Sequence, residues 1–360
     1  MSESNNYCVI MAGGVGSRFW PMSTQKYPKQ FQDILGTGHT MIQQTYNRIS
    51  KIVLPENIYV ITSKEYIALT EQQLPHLDPE NIVGEPMMKN TAACNMYMAK
   101  KIADKNPNAN IIVLPADHLI LNETVFLQKI ELALNLAATK NFLITLGIKP
   151  TRPETGYGYI QFVESKNKEY FKVKTFTEKP DLEFARTFLE SGDFLWNAGI
   201  FIWNVQSILS AFEEYLSEMS QHFQSCDYNT KEEEGCIDAI YPKVAKISID
   251  NGILEKAKNV YVIPADIGWS DLGTWTSVYE NAVKDAGKNA SKSRHLLTYN
   301  AKGNIINLKN KNKAVIIDGL KDYIIVDTDK ALLICPRAND QLIKEYVQDL
   351  KTLKKGDSFL

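Results

Sequence analysis

The sequence predicts an α/β fold: a mostly parallel central sheet covered by helices, followed by a small β-roll or short left-handed β-helix-like domain. Two patterns carry this. Over the first 150 residues, short apolar β-branched runs alternate with segments of helical periodicity. Such alternation folds through right-handed crossovers into a parallel sheet. Towards the C-terminus the rhythm changes to strands spaced about nine residues apart, too short and too regular for another crossover unit. At 360 residues the chain exceeds one average domain. The expected division is residues 1–285 and residues 286–360.

In order, strands are expected at 7–11, 58–62, 111–114 and 143–148, with helices at 41–49, 64–74, 91–105 and 125–139. From Gly156 the runs GYGYIQF, FKVKTF and GIFIWNV read as strands, with helices at 181–190 and 205–223 between and after them. This predicts an antiparallel extension of the sheet. Residues 227–235 are polar and acidic and read as a solvated loop or helix start, and residues 281–294, poor in large apolar side chains, read as a linker. Strands follow at 305–308, 315–317, 323–326 and 332–334, then a helix near 342–353. The hexapeptide repeat of a long β-helix is missing, so the roll should be short.

Composition narrows the function. The chain is 44% hydrophobic and 23% charged, with net charge −2 and no basic run. Non-specific nucleic-acid binding needs a clustered positive face. No apolar run reaches membrane-spanning length, and the opening MSESNNY lacks a signal-peptide pattern, so a cytoplasmic protein is expected. The five cysteines, odd in number and without a CxxC pair, read as buried reduced thiols rather than disulfides or zinc ligands.

The stretch MAGGVGSRFWPMSTQKYPKQF carries the chemistry. A strand runs into a turn holding Ala12, Gly13, Gly14, Gly16 and Ser17, with Arg18 directly behind and Lys29 further on after Pro28. Glycines let successive backbone N–H groups approach one anion, Arg18 adds a forked donor and Lys29 a point charge. The pattern is neither a P-loop, which needs Lys-Ser/Thr after the last glycine, nor a dinucleotide fingerprint, since Phe19 stands where a third glycine belongs. It describes a cradle for a polyphosphate. Asp117 ends the apolar run IIVLPAD, where a parallel strand delivers a carboxylate to the ligand crevice; a helix cap would read the same way. Asp271 lies in IGWSDLG, after another strand. Two carboxylates plus phosphate oxygens suit Mg²⁺. His118 invites a general-base reading, but a phosphate monoester has a second pKa of about 6 and needs no base at neutral pH. No histidine spacing for a metal and no GxSxG elbow is present.

These segments resemble the sugar nucleotidyltransferase family: GGxGxRxxP followed by PK, then LPADH, TGYGYI, FTEKP, WNAGIF, SIDNGILEK and IGWSDLGTW. The PKQF ending and the Phe19-Trp20-Pro21 run are most similar to the members acting on mannose 1-phosphate with GTP. The resemblance covers nearly the whole chain and implies a Rossmann-like, GT-A-like nucleotidyltransferase domain. It implies Mg²⁺ held by Asp117 and Asp271, with Arg18, Lys29 and Lys179 as catalytic cations. It places the sugar phosphate against Gly156, Tyr157, Gly158, Glu178, Lys179 and Asn197, although Lys179-Pro180 after a strand is by itself more often a surface turn. Asn197 could offer a donor and an acceptor to vicinal hydroxyls. Base and ribose fall to Glu85, Asn90 and Thr91, with Glu85 suited to accept the two guanine N–H groups. One departure touches this region: Met87-Met88-Lys89 stands where Pro-Arg is common. The implied substrates are GTP and mannose 1-phosphate, and the products GDP-mannose and pyrophosphate. The alternatives are another sugar 1-phosphate or nucleotide, or a non-catalytic regulatory subunit of the same fold. Exposed edges of a short β-roll also suggest a homodimer.

Overall fold

The computed structural model describes residues 5–14, 16–165, 168–353 and 356–360. In chain order the strands of the first part are β1 (Asn6–Met11), β2 (Ile58–Ser63), β3 (Ile82–Glu85), β4 (Asn110–Pro115), β5 (Leu119–Ile120), β6 (Leu143–Ile148), β7 (Tyr159–Val163), β8 (Phe171–Thr177), β9 (Phe194–Asn204), β10 (Val260–Pro264) and β11 (Trp269–Ser270). The helices over the same stretch are α1 (Met41–Ile49), α2 (Ile67–Gln73), α3 (Thr91–Lys105), α4 (Glu123–Thr139), α5 (Leu182–Ser191), α6 (Val205–Tyr215), α7 (Ser217–Gln224) and α8 (Glu233–Ile240). Then come α9 (Trp275–Asn281), β12 (Ala290–Ser291), β13 (His295–Tyr299), β14 (Ile305–Leu308), β15 (Ala314–Asp318), β16 (Tyr323–Asp327), β17 (Leu332–Pro336) and α10 (Ile343–Leu350).

The chain packs as two compact units that interleave in sequence. The first takes residues up to Gly13, Thr45–Ala116 and Ile120–Trp269; the second takes Gly14–Gln44, Asp117–Leu119 and Ser270–Leu360. Contacts therefore divide the chain differently from a cut between residues 285 and 286.

The first unit is built on a nine-stranded sheet of order β3-β2-β1-β4-β9-β6-β10-β8-β7. β1 sits among neighbours parallel to it, Cys8 opposite Ile58 on one side and Ile112 on the other. Its buried run Tyr7–Ile10 is apolar on both faces, as a central parallel strand requires. The sheet is mostly parallel, as expected: seven of its nine strands run in one direction, and only β8 and β9 oppose them. What differs from the expected antiparallel extension is the place of β9, which inserts between β4 and β6. Its alternation is hidden because it is buried on both faces, and nothing in its composition announces its place. β3 also escaped the sequence reading, being only four residues long. The helices start on side-chain caps that satisfy orphan N–H groups: Asn122 for α4, Asp181 for α5 and Asn204 for α6.

Residues 205–223, expected as one helix, form two. Leu216 leaves helical geometry (φ −137°), and α7 restarts directly after it. The acidic stretch 227–235 is not simply solvated. Glu233, 6% exposed, takes a bidentate pair from Lys101 Nζ and bonds from Tyr97 Oη and the Asn229 amide. Cys226 and Cys236, expected as reduced thiols, form a disulfide, because the turn between α7 and α8 brings their Cα atoms to 5.8 Å. Cys8, Cys94 and Cys335 are free and buried.

In the second unit β12-β14-β16-β17 form one sheet and β13-β15 another. β13 pairs in parallel with β15, and β14 with β16, at a common offset: His295 faces Ala314, and Ile305 faces Ile324. β17 closes the larger sheet antiparallel to β16. Residues 281–294 are no linker. Asn289 is 2% exposed, accepts from the Asn304 amide and side chain, and donates to Ala301 O. A buried amide network does there what large apolar residues do elsewhere, which composition cannot reveal. Among the described residues no helix is long and apolar enough to cross a membrane.

Candidate functional site

In the second unit the Gly-rich turn closes into a 3₁₀ turn at Ser17–Phe19. Gly16 has φ +69°, and a Cβ on it would lie 2.5 Å from Lys29 Cβ, so both backbone shape and space demand glycine. Pro28 starts a second 3₁₀ turn, Lys29–Phe31, that buries Lys29 to 3% exposure. The Lys29 ammonium pairs with Asp117 Oδ2 at 2.9 Å and donates to Asp271 O at 2.6 Å. It thus clamps the two aspartates that sequence set far apart. Asp271 Oδ1 accepts from the Gly273 amide at 2.8 Å, Leu272 between them has φ +44°, and a Cβ on Gly273 would meet Asp271 Oδ2 at 2.6 Å. Strain of this kind persists where surrounding structure over-determines it.

Arg18, Lys29, Asp117, His118, Asp271 and Lys344 line one cavity of about 250 Å³, with Gly16 and Ser17 on its backbone side. Burial alone would raise the Asp117 carboxyl; the charges of Lys29 and His118 and the Lys29 hydrogen bond outweigh it and hold the group below its ordinary value. Arg18 Nε is buried without a hydrogen-bond partner among the described residues. Lys344 was not singled out from sequence; a lysine in a C-terminal amphipathic helix carries no signal by itself. Gly14 belongs to the same unit and is exposed.

The other expected residues lie in the first unit. The Ala12 amide donates to Ile61 O, so its backbone serves the sheet. Gly13 faces Glu85, whose Oε2 would lie 3.8 Å from a Cβ there. Glu85 ends β3, is 9% exposed, and its Oε1 accepts from Tyr241 Oη at 2.9 Å. Burial pushes its carboxyl up to about 7, against the Tyr241 hydrogen bond. Asn90 caps α3 at φ +67°, and Thr91 Oγ1 accepts from Ile249 N at 2.9 Å. Lys89, at the departure from the family pattern, donates to Pro242 O and Val244 O.

A further group gathers at Asn197 on β9. Its amide N donates to Gly158 O at 2.8 Å, its Oδ1 accepts from Gly199 N, and its Nδ2 donates to Asp250 Oδ1 at 2.7 Å. Asp250 is the residue that sequence reading missed. It stood inside a recognised segment, SIDNGILEK, without a role. Burial pushes it up to about 6; the Asn197 hydrogen bond opposes the shift and the Glu178 charge adds to it. Tyr157 packs edge-on against Trp196 and Trp269, and the Gly156 amide donates to Glu154. Lys179 is exposed, pairs with Glu178 at 3.0 Å, and has φ +32°.

Comparison with known proteins supplies the family. The nucleotidyl transferase family profile matches residues 7–288. A mannose-1-phosphate guanylyltransferase of Escherichia coli is 34% identical over 353 residues, covering 95% of this chain and 75% of the relative. One from Klebsiella pneumoniae is 34% identical over 358 residues, covering 97% and 74%. A Thermus thermophilus crystal structure, named mannose-1-phosphate geranyltransferase, superposes with TM-score 0.87 at 25% identity, covering 97% of this chain and 100% of that one. With the family profile spanning most of its length and relatives 34% identical over 95–97% of it, the chain belongs to the nucleotidyl transferase family.

Proposed function

We propose that the protein transfers GMP from GTP to α-D-mannose 1-phosphate, forming GDP-mannose and releasing pyrophosphate. The observation that carries this is the cavity in which Arg18, Asp117 and Asp271 meet around Lys29, behind a glycine turn. The names of relatives similar over 95–97% of this chain support the substrates.

Bringing two anions together is the central difficulty. Two unit charges at 4 Å repel by about 4 kcal/mol at an effective dielectric near 20. Arg18 answers this at the triphosphate: an unpartnered buried donor costs about 1–3 kcal/mol, which a phosphate oxygen would recover. Lys29 holds Asp117 and the Asp271 segment in register. Lys179, exposed and paired with its neighbour Glu178, can exchange that partner for the sugar phosphate. Glu85 reads guanine through Oε2, with Oε1 fixed by Tyr241. Asn197 spends its amide on Asp250 and Gly199, so Asp250, oriented by it, is the better acceptor for sugar hydroxyls.

Asp117 and Asp271 are the residues that would hold Mg²⁺. Among the described residues no cluster of three or more His, Cys, Asp or Glu forms a metal cage. Two hard carboxylates in a phosphate-sized cavity suit an ion that completes its shell with substrate oxygens, and when bound it would neutralise developing phosphate charge. We read β12–β17 as a short β-roll on residues 286–360, behind a catalytic region spanning residues 1–285. A homodimer through exposed Leu297 and Ile316 of β13 and β15, and residence in the cytoplasm, complete the proposal.

The test is pyrophosphate release by purified protein against a matrix of nucleoside triphosphates and sugar 1-phosphates, with and without EDTA. GTP with mannose 1-phosphate should give the highest kcat/KM, and EDTA should abolish turnover until Mg²⁺ is added back. A higher value with uridine or thymidine triphosphate would move the chain to another substrate pair. No turnover with any pair would favour a regulatory subunit.

A further inference from the structure

We propose that Lys344, on the C-terminal helix, binds the pyrophosphate half of the nucleotide and stabilises it as it leaves; this rests on the transferase reading above. The placement follows from packing. Ile343 is fully buried in a core it shares with Phe19, Trp20 and Leu272, and Tyr346, Val347 and Leu350 pack against the same core. These positions make one face of α10, which lies against the 3₁₀ turn Ser17–Phe19. Lys344 follows Ile343 directly, so the anchor that fixes the helix also delivers the lysine to the cavity lined by Arg18 and the glycine turn.

Charge makes the residue necessary. Lys29 is committed to Asp117 and to the Asp271 carbonyl. Arg18 and Lys344 share the cavity wall with the carboxylates of Asp117 and Asp271. A pyrophosphate carries several negative charges and gains more of them on the oxygen that leaves, so each further cation on the wall favours it as it forms. Lys344 adds one beyond Arg18 and Lys29. Its compact ammonium on a flexible stem suits a group that must bind during transfer and then let go. No proton or covalent bond passes through it.

Isothermal titration of inorganic pyrophosphate, with Mg²⁺ in excess, into wild type, Lys344→Ala and Lys344→Arg tests this without requiring turnover. Lys344→Ala should bind about tenfold more weakly, the scale of one lost charge-assisted contact, and Lys344→Arg should recover most of that. Melting temperatures should match wild type, since Lys344 lies outside the buried face. In the reverse reaction the KM for pyrophosphate should rise in step, and in the forward reaction the KM for mannose 1-phosphate should stay. Equal pyrophosphate affinity in wild type and Lys344→Ala, or no binding by wild type, overturns the inference. A wild type that binds pyrophosphate but makes no GDP-mannose would sink the guanylyltransferase reading while the titration still decides the role of Lys344.

Discussion

The buried carboxyl of Glu85 is a measurable quantity because its pKa stands at about 7 against an ordinary 4.5, raised by burial and opposed by Tyr241. The folded chain holds this proton more tightly than the unfolded chain does. Its stabilising effect is therefore complete below about pH 4.5 and is lost as pH rises through about 7. The loss is on the order of 3 kcal/mol. Glu85→Gln, which stays neutral, should flatten the pH dependence of urea denaturation between about pH 5 and pH 8 and be the more stable form at the alkaline end. Parallel profiles for the two proteins would mean that Glu85 titrates normally. At this scale the sequence revealed residue types but not partners. Asp117 and Asp271 were legible because each follows a strand within a distinctive segment. That Lys29 would spend its charge on one and its hydrogen bond on the other was not, because the contacts join segments far apart along the chain. Asp250 was invisible for a related reason: a carboxylate held by an amide from a distant strand looks, in sequence, like any polar residue opening a turn.

Among elements, α3 and α8 are joined by the pair of Lys101 and Glu233, both no more than about one-tenth exposed. Removing one partner of a buried pair costs about 3–5 kcal/mol, because the other charge stays behind. Tyr97 and the Asn229 amide still serve Glu233, so Lys101→Ala should fall near the lower end in urea denaturation. Adding Glu233→Leu should recover much of the loss; a double variant less stable than Lys101→Ala would assign the pair a role in specifying the fold. The helices themselves were read well where an amphipathic or capped pattern was long: α3 and α1 match their expected limits. Reading failed where tertiary context decided. Leu216 divides a continuous helical pattern, and buried amides replaced the apolar signal of a core around Asn289.

For the whole molecule, the alternation of strands and helices was enough to predict an α/β sheet, and no local signal could have placed β9 antiparallel at its centre. The interleaving of the two units was equally hidden, since it depends on which distant segments pack together. It has a consequence in time. Translation makes Gly14–Gln44 well before Ser270–Leu360, which packs with it. At roughly 5–20 residues per second, Phe19 and Trp20 would wait roughly 15–65 s for Ile305, Ile324 and Ile343 to emerge and cover them. A chain stopped at residue 285 should keep the far-ultraviolet dichroism of the sheet yet bind no pyrophosphate, and full affinity in that fragment would contradict the packing. On the ribosome the Gly-rich turn is thus written early and assembled late. Its two aromatic residues stay exposed for most of synthesis, a long window in which a chaperone, rather than the rest of the chain, is their first partner.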